Sequence, residues 1–166
     1  FAVNHLAGYL LTRELADLLA ADGRVVTTSS VAHRNGDIDF EELRGHGRTG
    51  IPGITGYNEF APLRRLGQAT GITDLTGFGG FAFYSDSKLC NVLFTRELAA
   101  RLPGDRTATC FHPGIVPGSG VGRDLPFPAS TFWAGLDLVP GATDTVADGG
   151  RAMARLVTDP DLADVT

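Results

Sequence analysis

Tyr84 and Lys88 stand four residues apart in the run Tyr84-Ser85-Asp86-Ser87-Lys88, a spacing that puts two side chains one above the other on the same face of a helix. An ammonium beside a phenol favours the phenolate, so such a pair can exchange a proton with a substrate hydroxyl or carbonyl. The same spacing also occurs on solvated helix faces. What singles out this pair is that Lys88 is the only lysine in a chain with thirteen arginines. A compact ammonium can turn its donors toward several partners, which the planar fork of arginine does not do.

A second hydroxyl comes from Ser30. It follows Arg24-Val25-Val26-Thr27-Thr28-Ser29, a β-branched run bounded by Gly23 and by polar residues, which predicts a buried parallel strand. The carboxyl end of such a strand is the edge where open α/β sheets bind ligands. Ser30 can therefore hydrogen-bond a reacting oxygen beside Tyr84, or it can cap the turn that follows.

The elements that must position these groups alternate. Val3, Leu6, Ala7, Leu10, Leu11, Leu15, Leu18 and Leu19 recur at helical spacing and predict a first helix from about Ala2 to Ala21, with Gly23 placed as its C-terminal cap. The strand at 24–29 comes next. Leu89, Val92, Leu93, Leu98 and Leu102 predict a second helix from Ala82 to Leu102, ended by Pro103-Gly104. Thr107-Ala108-Thr109-Cys110-Phe111 predicts another strand, stopped by His112-Pro113-Gly114. Helix, strand, helix, strand is the alternation of a parallel α/β sheet. Beyond it, 118–124 reads as a loop, 129–138 as a short helix, and 145–157 as a helix with Ala147, Ala152, Leu156 and Val157 turned inward. Residues 32–81 are rich in Gly, Thr, Asn and Pro, with brief helical stretches near 39–43 and 61–66. So long an irregular stretch is an insertion: a lid, a binding loop or a mobile excursion.

Composition bounds the rest. With 166 residues, 43% of them hydrophobic, the chain can bury one domain's core. A net charge of -5 and scattered arginines leave no basic stripe for a nucleic-acid backbone or an anionic membrane. The apolar runs are short and no charged leader precedes them, so neither a membrane span nor a secretory signal is read, and a cytoplasmic protein is expected. Cys90 and Cys110 lack metal spacing and fit a reducing compartment. The four histidines are dispersed, and no metal site is expected.

Taken together, Asn4 in VNHLAGYLLT, Ser30 in VVTTSSVAH, the helix YSDSKLCNVLFTRELAARL and the HPGIV segment resemble, in this order, the short-chain dehydrogenases/reductases, retinol-dehydrogenase-like members above all. The resemblance implies the C-terminal part of a Rossmann-type, doubly wound parallel sheet, with the insertion before the catalytic helix. It also implies hydride transfer between the nicotinamide of NADP or NAD and a carbonyl or alcohol. In that reaction Tyr84 is the general acid/base, Lys88 holds the nicotinamide ribose and tunes the tyrosine, Ser30 orients the substrate oxygen, and Asn4 completes a water-linked proton relay. Pro113, Gly114 and Val116 lie against the nicotinamide. The family often self-associates through the helix corresponding to 82–102, so a homodimer or tetramer is implied as well. The aromatic residues of FGGFAFY and FPASTFW suggest an apolar small-molecule substrate.

YSDSKLCN is also similar to the corresponding helix of light-dependent protochlorophyllide reductases, which carry a long insertion before the catalytic tyrosine. Those enzymes have a functional cysteine directly after the Pro-Gly, where this chain has Ile115. Cys90, after the lysine in both, can serve as small core packing. A further departure lies in Gly118-Ser119, where many family members have a threonine four residues after the glycine.

The Gly-rich turn that seats a dinucleotide pyrophosphate on a helix N-terminus, and the acidic or basic ribose selector after it, are not in this sequence. With a first residue other than Met and an uncapped start, the chain is expected to be an internal piece of a longer reductase that alone neither binds cofactor tightly nor turns over. A truncated, non-catalytic dinucleotide-binding or regulatory module is the rival expectation.

Overall fold

A computed structural model describes residues 1–38, 40, 78–119, 131, 135–139 and 141–165, with backbone alone at 78–83, 118 and 137. A π-helical turn (Ala2–Leu6) leads into α1 (Ala7–Leu15) and a 3-10 turn (Ala16–Leu18). Then come β1 (Arg24–Thr28), a 3-10 turn (Val31–Asn35), α2 (Phe78–Arg101), β2 (Thr107–Phe111) and α3 (Val146–Thr158). β1 and β2 pair in parallel, with Arg24 opposite Thr107 and Thr28 opposite Phe111, and α2 packs across both strands. The architecture is α/β, a partial Rossmann-like arrangement. Residues 39 and 41–77 of the expected insertion at 32–81, with nearly all of its brief helices at 39–43 and 61–66, lie outside the described residues, as do most of the expected loop at 118–124 and half of the short helix expected at 129–138.

Both strands form where β-branched residues cluster. β2 has the predicted bounds, and β1 stops one residue before Ser29. β1 is half-buried along its whole length rather than buried, because among the described residues it pairs on one side only, with β2. α2 begins at Phe78, four residues before the predicted start, since Gly79 and Gly80 are carried inside the helix and do not break it. The first helix ends at Leu18, short of Ala21. Gly23 is not its left-handed cap: among the described residues the glycines with positive φ are Gly104, Gly114 and Gly141. Gly23 is required by crowding instead, since a Cβ there would stand 2.6 Å from Leu19 Cγ.

Arginines at the starts of the strands close the ends of the helical segments packed beside them. Arg106 Nη2 donates to Leu19 O at 2.9 Å and its Nε to Ala20 O at 3.0 Å. Arg24 Nη1 donates to Leu156 O at 3.2 Å and Asp159 O at 2.7 Å at the end of α3. These cations meet the negative ends of the helix dipoles and satisfy carbonyls that have no intrahelical donor. At the other end of α3, Thr145 and Asp148 form a reciprocal capping box.

The described core is unusual in kind. Its buried apolar residues are Ala32, Ala108 and Val116, whereas Ser29, Ser85, Asp86, Ser87, Asn91, Thr95 and Thr107 are buried polar ones. Large apolar side chains of α1 and α3, including Leu10, Leu11, Met153 and Val157, are exposed. The inward face expected for α3 is thereby corrected. Ala147, Ala152 and Val157 are exposed and Leu156 is half-buried. The buried point of the helix is Gly149, where a Cβ would approach Pro113 Cβ to 2.9 Å. Contact there is a narrow backbone approach beside Pro113, not an apolar stripe. No described helix is long and apolar enough to cross a membrane.

Candidate active site

Ser30 follows the carboxyl end of β1, Tyr84 projects from the first part of α2, and the segment after β2 returns through Pro113, Gly114 and Val116. These elements enclose an open cavity of about 60 Å³ lined by Ser29, Ser30, Tyr84, Pro113, Gly114, Val116 and Ser119. The wall after β2 depends on a glycine. Gly114 has φ +88°, and a Cβ there would fall 1.9 Å from Asp144 Oδ2, so both conformation and space exclude a side chain. Asp144 is held by its own N–H, which donates to Ile115 O at 2.7 Å. Ser119 turns its hydroxyl back to Val116 O at 2.7 Å, closing the 3-10 turn Pro117–Ser119.

Ser30 caps the turn that follows it and also lines the cavity. Its backbone is extended at the N-cap of the 3-10 turn, its Oγ accepts from Ala32 N at 3.2 Å, and the residue still lines the cavity. A hydroxyl used as an acceptor by the cap keeps its own proton as a donor.

Lys88 lies beneath Tyr84. Its Nζ is 5.6 Å from the centroid of the Tyr84 ring, within cation–π range, and donates to Thr28 O at 3.1 Å. Burial pushes the Lys88 ammonium below its ordinary value, and the neighbouring Cys110 opposes that shift. Burial in turn pushes the Cys110 thiol up, against hydrogen bonds from Thr95 and Ser29 and the charge of Lys88. Cys90 is also pushed up, first by burial and then by the Asp86 carboxylate. Both cysteines are free, and such thiols are held protonated near neutral pH, poor in nucleophilic thiolate.

Asn4 does not line the cavity. It sits on the π-helical turn, its Nδ2 donates to Ser87 Oγ at 3.4 Å, and Ser87 Oγ donates to Tyr84 O at 2.6 Å. The predicted residues thus fall into two layers. Ser30, Tyr84, Pro113, Gly114 and Val116 share the cavity, while Lys88 and Asn4 hold positions behind the α2 turn that carries the tyrosine.

Three residues not singled out from the sequence complete this arrangement. Ser29, buried beside Ser30, donates its hydroxyl to Lys88 O at 2.9 Å and extends the ladder to β2 by donating its N–H to Phe111 O at 2.8 Å. Asp86, also buried, accepts from Asp37 N at 2.7 Å and ties the chain leaving the 3-10 turn to α2. Asn91 is buried against the start of the chain and the end of β1. A signal for the last was present: Tyr84, Lys88, Asn91 and Thr95 recur at spacings of four, three and four, a polar stripe on one helical face. Among the described residues no group of three or more His, Cys, Asp or Glu could hold a metal ion.

No protein-family model matches the chain. Curated relatives do. Retinol dehydrogenase 14 of Mus musculus is 37% identical over 170 aligned positions, covering all of this chain and 42% of the relative. Retinol dehydrogenase 12 of Bos taurus is 42% identical over 118 positions, 69% of this chain and 28% of the relative. Retinol dehydrogenase 13 of Homo sapiens is 36% identical over 135 positions, 80% of this chain and 32% of the relative. The chain spans less than half the length of each of these relatives.

Proposed function

Because this chain belongs to the short-chain dehydrogenase/reductase family, we propose that it carries the proton-transfer half of an NAD(P)-dependent oxidoreductase site. The observation that carries this reading is the shared cavity of Ser30 and Tyr84 with Lys88 fixed directly behind the tyrosine ring. Bound NADP or NAD supplies a hydride to a carbonyl carbon, or accepts one from an alcohol. The residues present fit its reacting end. Pro113, side-chain-free Gly114 and Val116 offer apolar lining for a flat ring in the same cavity as Ser30 and Tyr84. The described cavity, at about 60 Å³, is far below the roughly 300 Å³ at which ligand pockets begin, so these residues account for the reacting end alone.

In reduction, Tyr84 donates its phenolic proton to the carbonyl oxygen as charge develops there, and in oxidation it takes that proton back. Ser30, whose proton is not used by its cap, donates a hydrogen bond to the same oxygen and fixes its orientation. Lys88 places a cation against the tyrosine, anchored by the Thr28 carbonyl and capable of donating onward to a ribose hydroxyl. Asn4 steadies the α2 turn through Ser87 and belongs to the relay that returns the proton to solvent.

The relatives are named for retinol, an apolar alcohol, and on that likeness the substrate is a small apolar alcohol or carbonyl compound. No specific observation favours a non-catalytic module, and the relatives' names give no support to pigment reduction. In the full-length protein, Tyr84→Phe is expected to lower kcat by about 10²-fold or more while cofactor titration stays close to wild type. Turnover equal to wild type would sink the assignment.

A further inference from the structure

Asn91 makes three side-chain hydrogen bonds at a position only 5% exposed. Its Nδ2 donates to Asn4 O at 3.0 Å and to Thr28 O at 3.1 Å, and its Oδ1 lies 2.9 Å from His5 Nδ1. The orientation of the amide is set by chemistry. Two carbonyls can only accept, so the NH₂ must face them, and Oδ1 is left for His5, whose Nδ1 must then be the donor. The Thr28 carbonyl that receives Asn91 is the one that receives Lys88 Nζ at 3.1 Å. One side chain therefore ties α2 to the backbone of Asn4 and to the anchor of Lys88. The His5 end is closed by rings, with Phe1 at 5.1 Å and Phe94 at 6.2 Å between centroids.

We infer that Asn91 is a positioning residue for the Tyr84–Lys88 pair, acting through the Thr28 carbonyl and the Asn4 backbone. The inference rests on the oxidoreductase reading above and extends it to a residue that touches neither the cavity nor the reacting atoms. Asn91 holds Thr28 O at a fixed distance from α2, so the lysine one turn earlier finds its acceptor in one place. It also fixes the π-helical turn bearing Asn4 against the same helix. Without it, Lys88 keeps its charge but loses a fixed anchor, and misplacement on the ångström scale behind an acid/base group is felt in the chemical step more than in binding.

The test is made in the full-length protein with active sites counted by cofactor titration. Asn91→Leu, branched at the same carbon and without polar atoms, is expected to lower kcat per site about 10-fold to 100-fold while substrate KM stays within about threefold of wild type. Asn91→Asp keeps the shape but offers two carbonyls an acceptor in place of their donor, and it reads the same effect should the leucine variant not fold. A kcat per site equal to wild type in either folded variant overturns the inference, as does a loss that appears in KM alone. Tyr84→Phe run beside them separates the levels: if it is inactive while Asn91→Leu is unimpaired, only the positioning role fails. If Tyr84→Phe turns over normally, the underlying reading fails.

Discussion

The inner side of α2 and the outer side of α1 are both helical surfaces, yet they are built from opposite materials. The α2 seam buries Ser85, Asp86, Ser87, Asn91 and Thr95, and three other segments reach into it: the Asn4 amide to Ser87, the Asp37 N–H to Asp86, and the carbonyls of Asn4 and Thr28 to Asn91, while Thr95 donates back to Asn91 O. The α1 surface carries Tyr9, Leu10, Leu11 and Leu15, all exposed among the described residues. The difference shows what each surface is for. Apolar contacts are non-directional and tolerate sliding, whereas a buried polar seam holds one register, since any other leaves its groups unpaired at a cost of about 1–3 kcal/mol each. Tyr84 and Lys88 project from the seam, where ångström errors matter.

Perturbing the two surfaces should therefore give unequal results. Asp86→Ala removes the acceptor of the Asp37 N–H inside the seam and is expected to cost about 2–3 kcal/mol, read as a lower denaturant midpoint. A change below about 0.5 kcal/mol would break the contrast. Arg24→Ala, at the half-buried junction of β1 with the end of α3, removes a charged donor from two helix-terminal carbonyls. About 1.5–2 kcal/mol is expected by the same measurement, less than for the fully buried carboxylate. On the exposed surface, Leu11→Gln should change stability by less than about 0.5 kcal/mol. A loss of 2 kcal/mol or more there would show that a partner covers this face in the full-length protein, and that the apolar periodicity of the first helix marks a true core stripe.

How much could be read from the sequence follows the same division. The strand at 107–111 was fully legible, because β-branched residues between Arg106 and His112 leave little alternative. The family order of Asn4, Ser30, Tyr84 and Lys88 was legible as motif, and the cavity unites two of these side chains. The inward face of α3 was misread because apolar periodicity shows which residues could pack, not what packs on them. Gly23 was misread for another reason: close crowding from Leu19 and Ala20 in the turn just before it, and not a left-handed backbone, demands it. The seam itself went unseen. A search for apolar repeats passes over Ser85, Asp86, Ser87, Asn91 and Thr95, whose burial depends on partners 49 to 87 residues away for Asp86, Ser87 and Asn91. Only the polar stripe from Tyr84 to Thr95 carried a trace of it.

The most direct measurement uses the full-length protein, a nicotinamide cofactor deuterated at its hydride-donating carbon, and an apolar aldehyde. Mass spectrometry should find deuterium on the carbinol carbon of the alcohol formed, and Tyr84→Phe should form that labelled alcohol about 10²-fold or more slowly than the wild-type protein, although both bind the cofactor. An alcohol lacking deuterium, or labelled alcohol formed equally fast by the two proteins, would contradict the account.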